Sequence, residues 1–455
     1  MTRRVVVIGG GIAGLAAGFR LARTRGIEVE VLDAAPRAGG AIATSREDGF
    51  LLEQGPDCFL TVKPSAIELC RELGLEDRLI GTIEGNRKSF VARKSKLHAV
   101  PEGFYLMAPS SMASLAASRI FSVKGKARMA MEPLIPRRTD AADESLASFV
   151  RRRLGQECLD RLAQPMIAGI TTADPEKLSM RAAMPQFPEM EERHGSIIKA
   201  LATKALSRGT SGPRYGMFAT LDGGMQMLVD ALAAALGPRL RTGVRVNGLR
   251  RSGNQWAVDS TSGDLAADAL VIALPATAAA SLLLPHDKRL AELLAGIESA
   301  SVATVHVAWK EEDLRLPAAM GFVVPAIENR FTLACSFTSR KFPGRAPAGT
   351  SLVRVFAGGA TRPADASLPD GELTQRVIAD LRDLLGAKGK PLFARVDRHA
   401  EAMPQYHVGH MDRVAEMEKR AAAVPGLALC GASYRGVGVP DCVKSGEVAA
   451  EIAAR

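Results

Sequence analysis

Aromatic side chains are scarce in this sequence. They make up 5% of 455 residues, with only four Tyr and two Trp. Proteins that hold single-stranded nucleic acid stack bases on aromatic platforms, so nucleic acid is not an expected partner. No Cys-x-x-Cys pair occurs. The six cysteines, Cys58, Cys70, Cys158, Cys335, Cys430 and Cys442, are scattered. They read as reduced packing residues of a cytosolic protein, not as a disulfide framework. His407 and His410 are spaced to share a helix face, but no Cys, Asp or Glu cluster stands beside them, so no metal is assigned. Long apolar runs are missing too. The best, ALVIALPATAAASLLLP (269–285), has 17 residues and is interrupted by Pro275. A spanning helix needs about 20, so this stretch reads as a strand followed by a helix.

Acid is what residues 86–138 lack. Eleven basic residues (Arg87, Lys88, Arg93, Lys94, Lys96, Arg119, Lys124, Lys126, Arg128, Arg137 and Arg138) face only Glu102 and Glu132. The net +9 is nearly the whole +10 of the chain. The apolar stretch FYLMAPSSMASLAASRIF (104–121) lies in the same segment. Basic and apolar together suit an anionic lipid surface or a pocket for an apolar polyanion. The plainer reading is a solvated basic face.

The N-terminus is where the chain is richest. Its first residues, MTRRVVVIGGGIAGLAAG, have the charge and apolar order of a secretory leader, but Gly9-Gly10-Gly11 breaks the run. Strand, turn and helix fit better. RVVVI (4–8) is a β-branched run suited to a buried parallel strand. Gly9-x-Gly11-x-x-Gly14 follows, then LAAGFRLART with helical spacing, then the strand EVEVLD ending in Asp33, 19 residues after Gly14. Gly9 permits the tight turn, Gly11 lets a pyrophosphate approach the helix N-terminus, and Gly14 allows close packing. Asp33 can accept from both ribose hydroxyls.

After Asp33 comes AAPRAGGAIATSREDGFLLEQGPDCF. It resembles the second signature of the flavin amine oxidase superfamily, carried here by Asp33, Arg37, Gly39, Gly40, Thr44, Glu53, Gly55 and Pro56. The stretches GPDCFLTVKP (55–64), IAGITTADPEKLSM (167–180) and GASYRGVGVPDC (431–442) narrow the likeness. Together they resemble the FAD-dependent protoporphyrinogen/coproporphyrinogen oxidases of heme biosynthesis over essentially the whole chain.

That resemblance implies the site. Gly9, Gly10, Gly11, Ile12, Ala13 and Gly14, then Asp33, Ala34, Arg37, Gly40 and Ala41, then Gly55, Pro56, Asp57 and Cys58 line FAD. Val244, in the stretch GVRV (243–246) expected as a strand, meets the adenine side through its backbone, and Met411 is included. Ala432, Val437, Gly438 and Val439 lie along the isoalloxazine. Asp441 N-caps the last helix, whose N-terminus faces the flavin N1–C2 edge. Truncation before Gly431 is then expected to abolish FAD retention. Gly169 matches a glycine at the wall of the substrate cavity. Two positions depart from the pattern. Thr171 stands where many relatives have Tyr or Phe. Ser89 stands where relatives hold a substrate propionate with Arg, so that contact passes to Arg87, Lys88 or Arg93.

The implied chemistry is removal of six electrons from a porphyrinogen in three flavin cycles, with molecular oxygen as acceptor and hydrogen peroxide as product. The first step is hydride transfer from a methylene bridge to flavin N5. No protein acid or base is assigned. Protoporphyrinogen IX is the first expectation, because the basic, apolar segment fits membrane-associated relatives. Coproporphyrinogen III, with two more propionates, is the alternative. A carotenoid desaturase, an amine oxidase of the same superfamily, and a redox-inert Rossmann binding protein are more remote.

The expected fold class is α/β: a discontinuous Rossmann-like FAD-binding domain (1–80, 215–290 and 401–455), a mixed-sheet substrate domain (291–400), and a helical, basic, membrane-associated region (81–214). The expected location is cytoplasmic, peripheral on the membrane. The oligomeric state stays open, a homodimer included.

Overall fold

The structure, a computed structural model, describes residues 2–140, 142–207, 216–253 and 255–455. The expected boundary at 214/215 lies outside them. The chain divides into two compact units. The first collects Met1–Gly81, Pro213–Glu298 and Met411–Arg455, and the second collects Thr82–Gly212 and Ser299–His410. Segments 81–214 and 291–400, expected as two regions, thus fall almost wholly in one unit.

The first unit is built on five parallel strands: β1 (Arg3–Ile8), β2 (Ile27–Asp33), β3 (Leu240–Thr242), β4 (Ala269–Ile272) and β5 (Leu427–Leu429). Their order is β3-β2-β1-β4-β5, the doubly wound arrangement. Val5, Val7, Val29, Val31 and Val271 are buried, as strands covered on both faces require. Helices α1 (Ile12–Ala22), α2 (Ser65–Glu72), α3 (Gln226–Leu236) and α4 (Val439–Ala454) share one core with β1, β2 and β4. The stretch 269–285 is β4 followed by the helix Ala276–Leu283.

Small residues decide how tightly these helices meet. A methyl on Gly446 of α4 would stand 2.1 Å from the Ala13 carbonyl oxygen of α1. The two helices are therefore in backbone contact, which only glycine permits there. Two ion pairs hold the same corner, with Arg20 of α1 reaching Glu72 of α2 at 2.5 Å and Glu447 of α4 at 2.6 Å. The last helix is thus part of the unit's core. Removing everything from Gly431 onward would strip buried Val439, Val443, Ala450 and Ala453 from it, so truncation tests folding before it tests cofactor retention.

The second unit holds a seven-stranded mixed sheet. Its order is Phe393–Pro404, Ser299–Lys310, Thr350–Gly358, Ala334–Ser336, Gly321–Val323, Ser89–Arg93, Lys96–Ala99. Neighbours are antiparallel except Gly321–Val323 with Ser89–Arg93. One face buries Val305, Val307, Trp309, Val353 and Val355 with Leu373, Val377 and Leu381 of the helix Asp370–Leu385. The basic stretch 86–138 is therefore not helical throughout. Its first part forms the strands Ser89–Arg93 and Lys96–Ala99, and helices begin only at Met112–Ala117 and Val123–Ala130. Phe90 and Ala92 explain the difference, since their alternation buries one side of a strand among flanking charges. Among the described residues no helix is long and apolar enough to cross a membrane.

Candidate functional site

The carboxyl ends of β1, β2, β4 and β5 lie along one edge of the first unit's sheet. Ile8, Leu32 and Ile272 are in register, and Ile272 pairs with Leu429. The loops that leave them, at 9–11, 34–35, 273–275 and 430–432, are neighbours for that reason. The strand order reverses between β1 and β4, where ligands of such sheets bind. Gly9 has φ +111°, donates its N–H to Leu32 at 2.8 Å, and could not carry a methyl, which would stand 2.5 Å from the Ala273 carbonyl oxygen. Gly14 is closed in the same way, 1.9 Å from the Gly9 carbonyl oxygen.

The second glycine loop lies on the first. The Gly39 N–H donates to the Gly10 carbonyl at 2.7 Å, and Gly40 has φ +58° with its hypothetical methyl 3.3 Å from the Gly11 Cα. Gly55 then crosses Ala41, with room for no side chain. Residues from four stretches, 9–14, 33–34, 37–41 and 55–58, are thus brought to one place. Ala34, Arg37, Gly40 and Ala41 are exposed there, and Pro56, Asp57 and Cys58 are half-buried.

Asp33, Arg37 and Val244 each make contacts that the sequence did not foretell. Asp33 turns back onto its own turn: Oδ2 accepts from the Gly10 N–H at 2.5 Å and Oδ1 from the Ala35 N–H at 2.7 Å. Each oxygen keeps a second lone pair for a ribose hydroxyl. The guanidinium of Arg37 is spent on carbonyls of the glycine loop, Ile42 at 2.8 Å, Ala38 at 3.1 Å and Gly40 at 3.2 Å. It shapes the loop. Val244 follows β3 without belonging to a strand, and its N–H donates to the Asp33 carbonyl at 2.8 Å. That places it beside Asp33 with its donor already used.

Thr44 and Glu53 of the signature act as a buttress. Buried Glu53 accepts from Thr44 Oγ1 at 2.7 Å and from the Met225 N–H at 2.9 Å, while Thr44 Oγ1 accepts from the Gln226 N–H at 3.0 Å. The pair thereby caps α3, since the first amides of a helix have no partner inside it. Met411 is not drawn into this cluster by the hydrogen bonds that join the glycine loops. It stands in the first turn of the helix His410–Ala423, whose Val414 and Met417 pack with Leu290 and Leu294.

The C-terminal glycines close the same edge. The Cys430 N–H continues β5 onto the Ile272 carbonyl at 3.0 Å, and the Gly431 N–H donates to Ser445 Oγ at 3.1 Å. The contact of α4 with α1 then sets residues 431–439 beside residues 9–14. The N-cap of α4 is Gly438, with extended backbone and no side-chain acceptor; Asp441 is not the cap. Asp441 sits in the first helical turn, and both its oxygens accept from Lys63 Nζ, at 2.6 and 2.8 Å. Lys63 escaped the sequence reading because nothing in its neighbours links it to a residue 378 positions away. Burial pushes the Cys442 thiol up to about 12 and also raises the Tyr434 phenol.

In the second unit two of the expected substrate-side residues, Gly169 and Arg93, lie on one face of the sheet. A methyl on Gly169, in the helix Gln164–Thr171, would lie 3.1 Å from Val323 and 3.4 Å from Ala334. Ser89 and Val91 pair with Gly321 and Val323 and point to that same side, as does Arg93. Arg93 donates to the Ile120 carbonyl at 3.3 Å, while Arg87 and Lys88 are exposed just before the strand. Thr171 closes the helix, with its hydroxyl donated to the Ile167 carbonyl at 3.2 Å. No group of His, Cys, Asp and Glu placed to hold a metal occurs among the described residues.

The first unit's edge fits a dinucleotide cofactor. A methyl on Gly11, the N-cap of α1, would meet nothing within 4 Å, and the same holds at Gly431. Open space at a helix N-terminus without a side-chain cap suits a pyrophosphate. A doubly wound sheet with that space at its switch point defines a nucleotide-cofactor protein. The sequence signature of the flavin-containing amine oxidoreductases matches residues 12–454. A coproporphyrinogen III oxidase of Bacillus subtilis is 35% identical, over 98% of this chain and 97% of that protein. A chloroplastic protoporphyrinogen oxidase of Nicotiana tabacum is 31% identical, over 98% of this chain and 85% of that protein. A solved structure of a candidate protoporphyrinogen oxidase from Exiguobacterium sp. 255-15 matches with a TM-score of 0.89 at 28% identity, over 99% and 98% of the two chains. The chain belongs to the flavin-containing amine oxidoreductase family, in the branch of the protoporphyrinogen/coproporphyrinogen oxidases. Its cofactor is FAD.

Proposed function

We propose that the protein oxidises coproporphyrinogen III to coproporphyrin III, with three molecules of oxygen consumed and three of hydrogen peroxide released per macrocycle. The observation that carries this reading is the 35% identity to the Bacillus subtilis coproporphyrinogen III oxidase, against 31% to the plant protoporphyrinogen oxidase. Charge supports it. The net +9 of residues 86–138 suits four propionates better than two. This reverses the order of the two substrates expected from the apolar character of that segment.

The bound FAD supplies the acceptor for hydride, and the chain's own residues hold and shield it. The first-turn amides of α1, left without a side-chain cap, take the pyrophosphate, with Gly11 giving it room. Asp33 takes the ribose on its remaining lone pairs. Arg37 keeps the 38–42 loop in the shape that admits the ring system. The N-terminus of α4 offers its positive end to the part of the ring that gains charge. Gly169, Arg87, Lys88 and Arg93 serve the macrocycle: the glycine leaves space, and the cations attract carboxylates. Protons leave the pyrroles to water, so no protein base takes part.

Initial rates on the two porphyrinogens, read by product fluorescence, test the proposal. Coproporphyrinogen III is expected to react faster. Equal or faster oxidation of protoporphyrinogen IX would refute the substrate. A preparation without a flavin spectrum would refute the site.

We further propose that the protein rests on an anionic lipid surface through the helices Met112–Ala117 and Val123–Ala130 and the turn Glu132–Leu134. Val123 is 84% and Leu134 79% exposed, and Arg119 and Lys124 lie exposed among them. An apolar patch edged by cations matches that surface.

A further inference from the structure

Lys63 and Asp441 form a two-point ion pair that neither the glycine fingerprint nor the hydride chemistry requires. Lys63 precedes α2, and Asp441 lies in the first turn of α4. Their atoms are 2.6 and 2.8 Å apart. The pair is unequally shielded, with the Lys63 side chain 46% exposed and that of Asp441 only 18%. The carboxylate also folds back over the glycine loop. A methyl on Gly436 would stand 2.4 Å from Asp441 Cγ, and one on Gly438 would stand 3.0 Å from Oδ2. Residues 436–438 are therefore glycine-rich in part to let a carboxylate lie against the backbone that runs to the N-terminus of α4.

A carboxylate there has a definite electrostatic effect. Helix N-termini favour negative charge on a ligand in front of them. A bare aspartate in the first turn works against that, by repelling any negative charge that arrives. Hydride carries two electrons and one proton, so the cofactor that accepts it gains one negative charge. Lys63, set on both oxygens, cancels the aspartate's charge at that place.

We propose that the Lys63–Asp441 pair sets the reduction potential of the bound flavin, Lys63 keeping it high by neutralising Asp441. This rests on the reading that residues 431–439 line the flavin. Lys63 is a positioning and charge-balancing residue in this account; it takes no proton and touches no reacting atom. Local packing of residues 436–442 would hold Asp441 in place without Lys63, so its charge would remain where it is.

The test is a reductive titration of the purified, FAD-loaded protein against a reference dye under anaerobic conditions, with no porphyrinogen present. Lys63→Met is expected to make reduction at least tenfold less favourable, a fall of about 30 mV for a two-electron couple. Asp441→Asn is expected to shift the potential the opposite way. The double variant should return to within a few-fold of the parent, and Lys63→Arg should match it. Opposite signs in the single variants are what loosened packing alone does not produce. Shifts in the same direction, or no shift in either, overturn the inference. So does loss of flavin from both single variants, since the pair would then be a clamp. A parent protein that purifies colourless overturns the flavin reading itself, which separates the two failures.

Discussion

Replacing Gly11 with alanine separates a ligand's space from a structural requirement. Gly11 has φ −70° and ψ 173°, ordinary extended backbone for any residue. A methyl added there meets no protein atom within 4 Å. The apoprotein therefore has nothing to lose by packing. Alanine is a poorer N-cap than glycine by several tenths of a kcal/mol, and it gains about 0.4–1 kcal/mol by restricting the unfolded chain. These offset each other, so the variant's thermal stability without cofactor should match the parent's. The cofactor's pyrophosphate is a different matter. A methyl forced into a filled, close-packed site costs about 1–3 kcal/mol, which is about 5- to 150-fold in the dissociation constant. Quenching of FAD fluorescence by the apoprotein measures that constant directly. Gly14→Ala is the control, because its methyl would stand 1.9 Å from the Gly9 carbonyl oxygen whether or not a cofactor is present. It should lower the apoprotein's melting temperature. If Gly11→Ala binds FAD as tightly as the parent does, the pyrophosphate does not lie where the open space suggests.

Three further outcomes are expected. Hydrogen bonding to Arg20 lowers the Glu72 carboxyl below its ordinary value, so the pair stabilises above about pH 4.3 and is lost as the pH falls through the folded value. Glu72→Gln should cost about 0.2–1 kcal/mol at pH 7 by urea unfolding, and the two midpoints should converge in acid; a constant gap would show the pair's charge to be irrelevant. Five of the six cysteines are buried, and burial pushes the Cys70 thiol up to about 12, so native protein should show one fast thiol, Cys58, with an aromatic disulfide reagent. FAD should slow that reaction, and Cys58→Ser should remove it; a second fast thiol, or no protection by FAD, contradicts the assigned turn. Finally, the parent should sediment with vesicles containing phosphatidylserine and not with neutral ones, and Val123→Glu with Leu134→Glu should release it. Equal recovery in the supernatant with both vesicle types would remove the lipid surface from the account.

What could be read from the sequence was what sterics alone imposes. Gly9 needs a positive φ, Gly14 needs the absence of a methyl, and the β-branched run of β1 needs burial on both faces. Each leaves its mark within a few residues. The second glycine cluster was placed only by its likeness to a family, but the structure supplies a local cause in Gly446, whose backbone contact with Ala13 brings α4 to α1. The contacts missed are those whose partners are remote or are main chain. Arg37 was expected at the cofactor, and its bonds to carbonyls up to five positions away were not foreseen. Asp441 looked like a helix cap, yet its partner is Lys63. The strand Ser89–Arg93 was hidden because charges on both sides mask a short alternation. Substrate choice is less legible still, since it depends on side chains drawn from separate stretches with no shared period.

The order of the five parallel strands also has a consequence for synthesis. β1 and β2 leave the ribosome long before β5 and α4. Between them come Thr82–Gly212 and Ser299–His410, which belong to the other unit. At roughly 5–20 residues per second, the N-terminal strands wait about 20–90 s for the edge that completes their sheet. Gly446, which lets α4 seat on α1, comes 413 residues after Asp33, where β2 ends. A chain cut before Val439 therefore lacks the helix that packs on α1 and whose N-terminus the proposed flavin site uses. On the proposed site, bound flavin colour reports that β5 and α4 have joined β1 and β2.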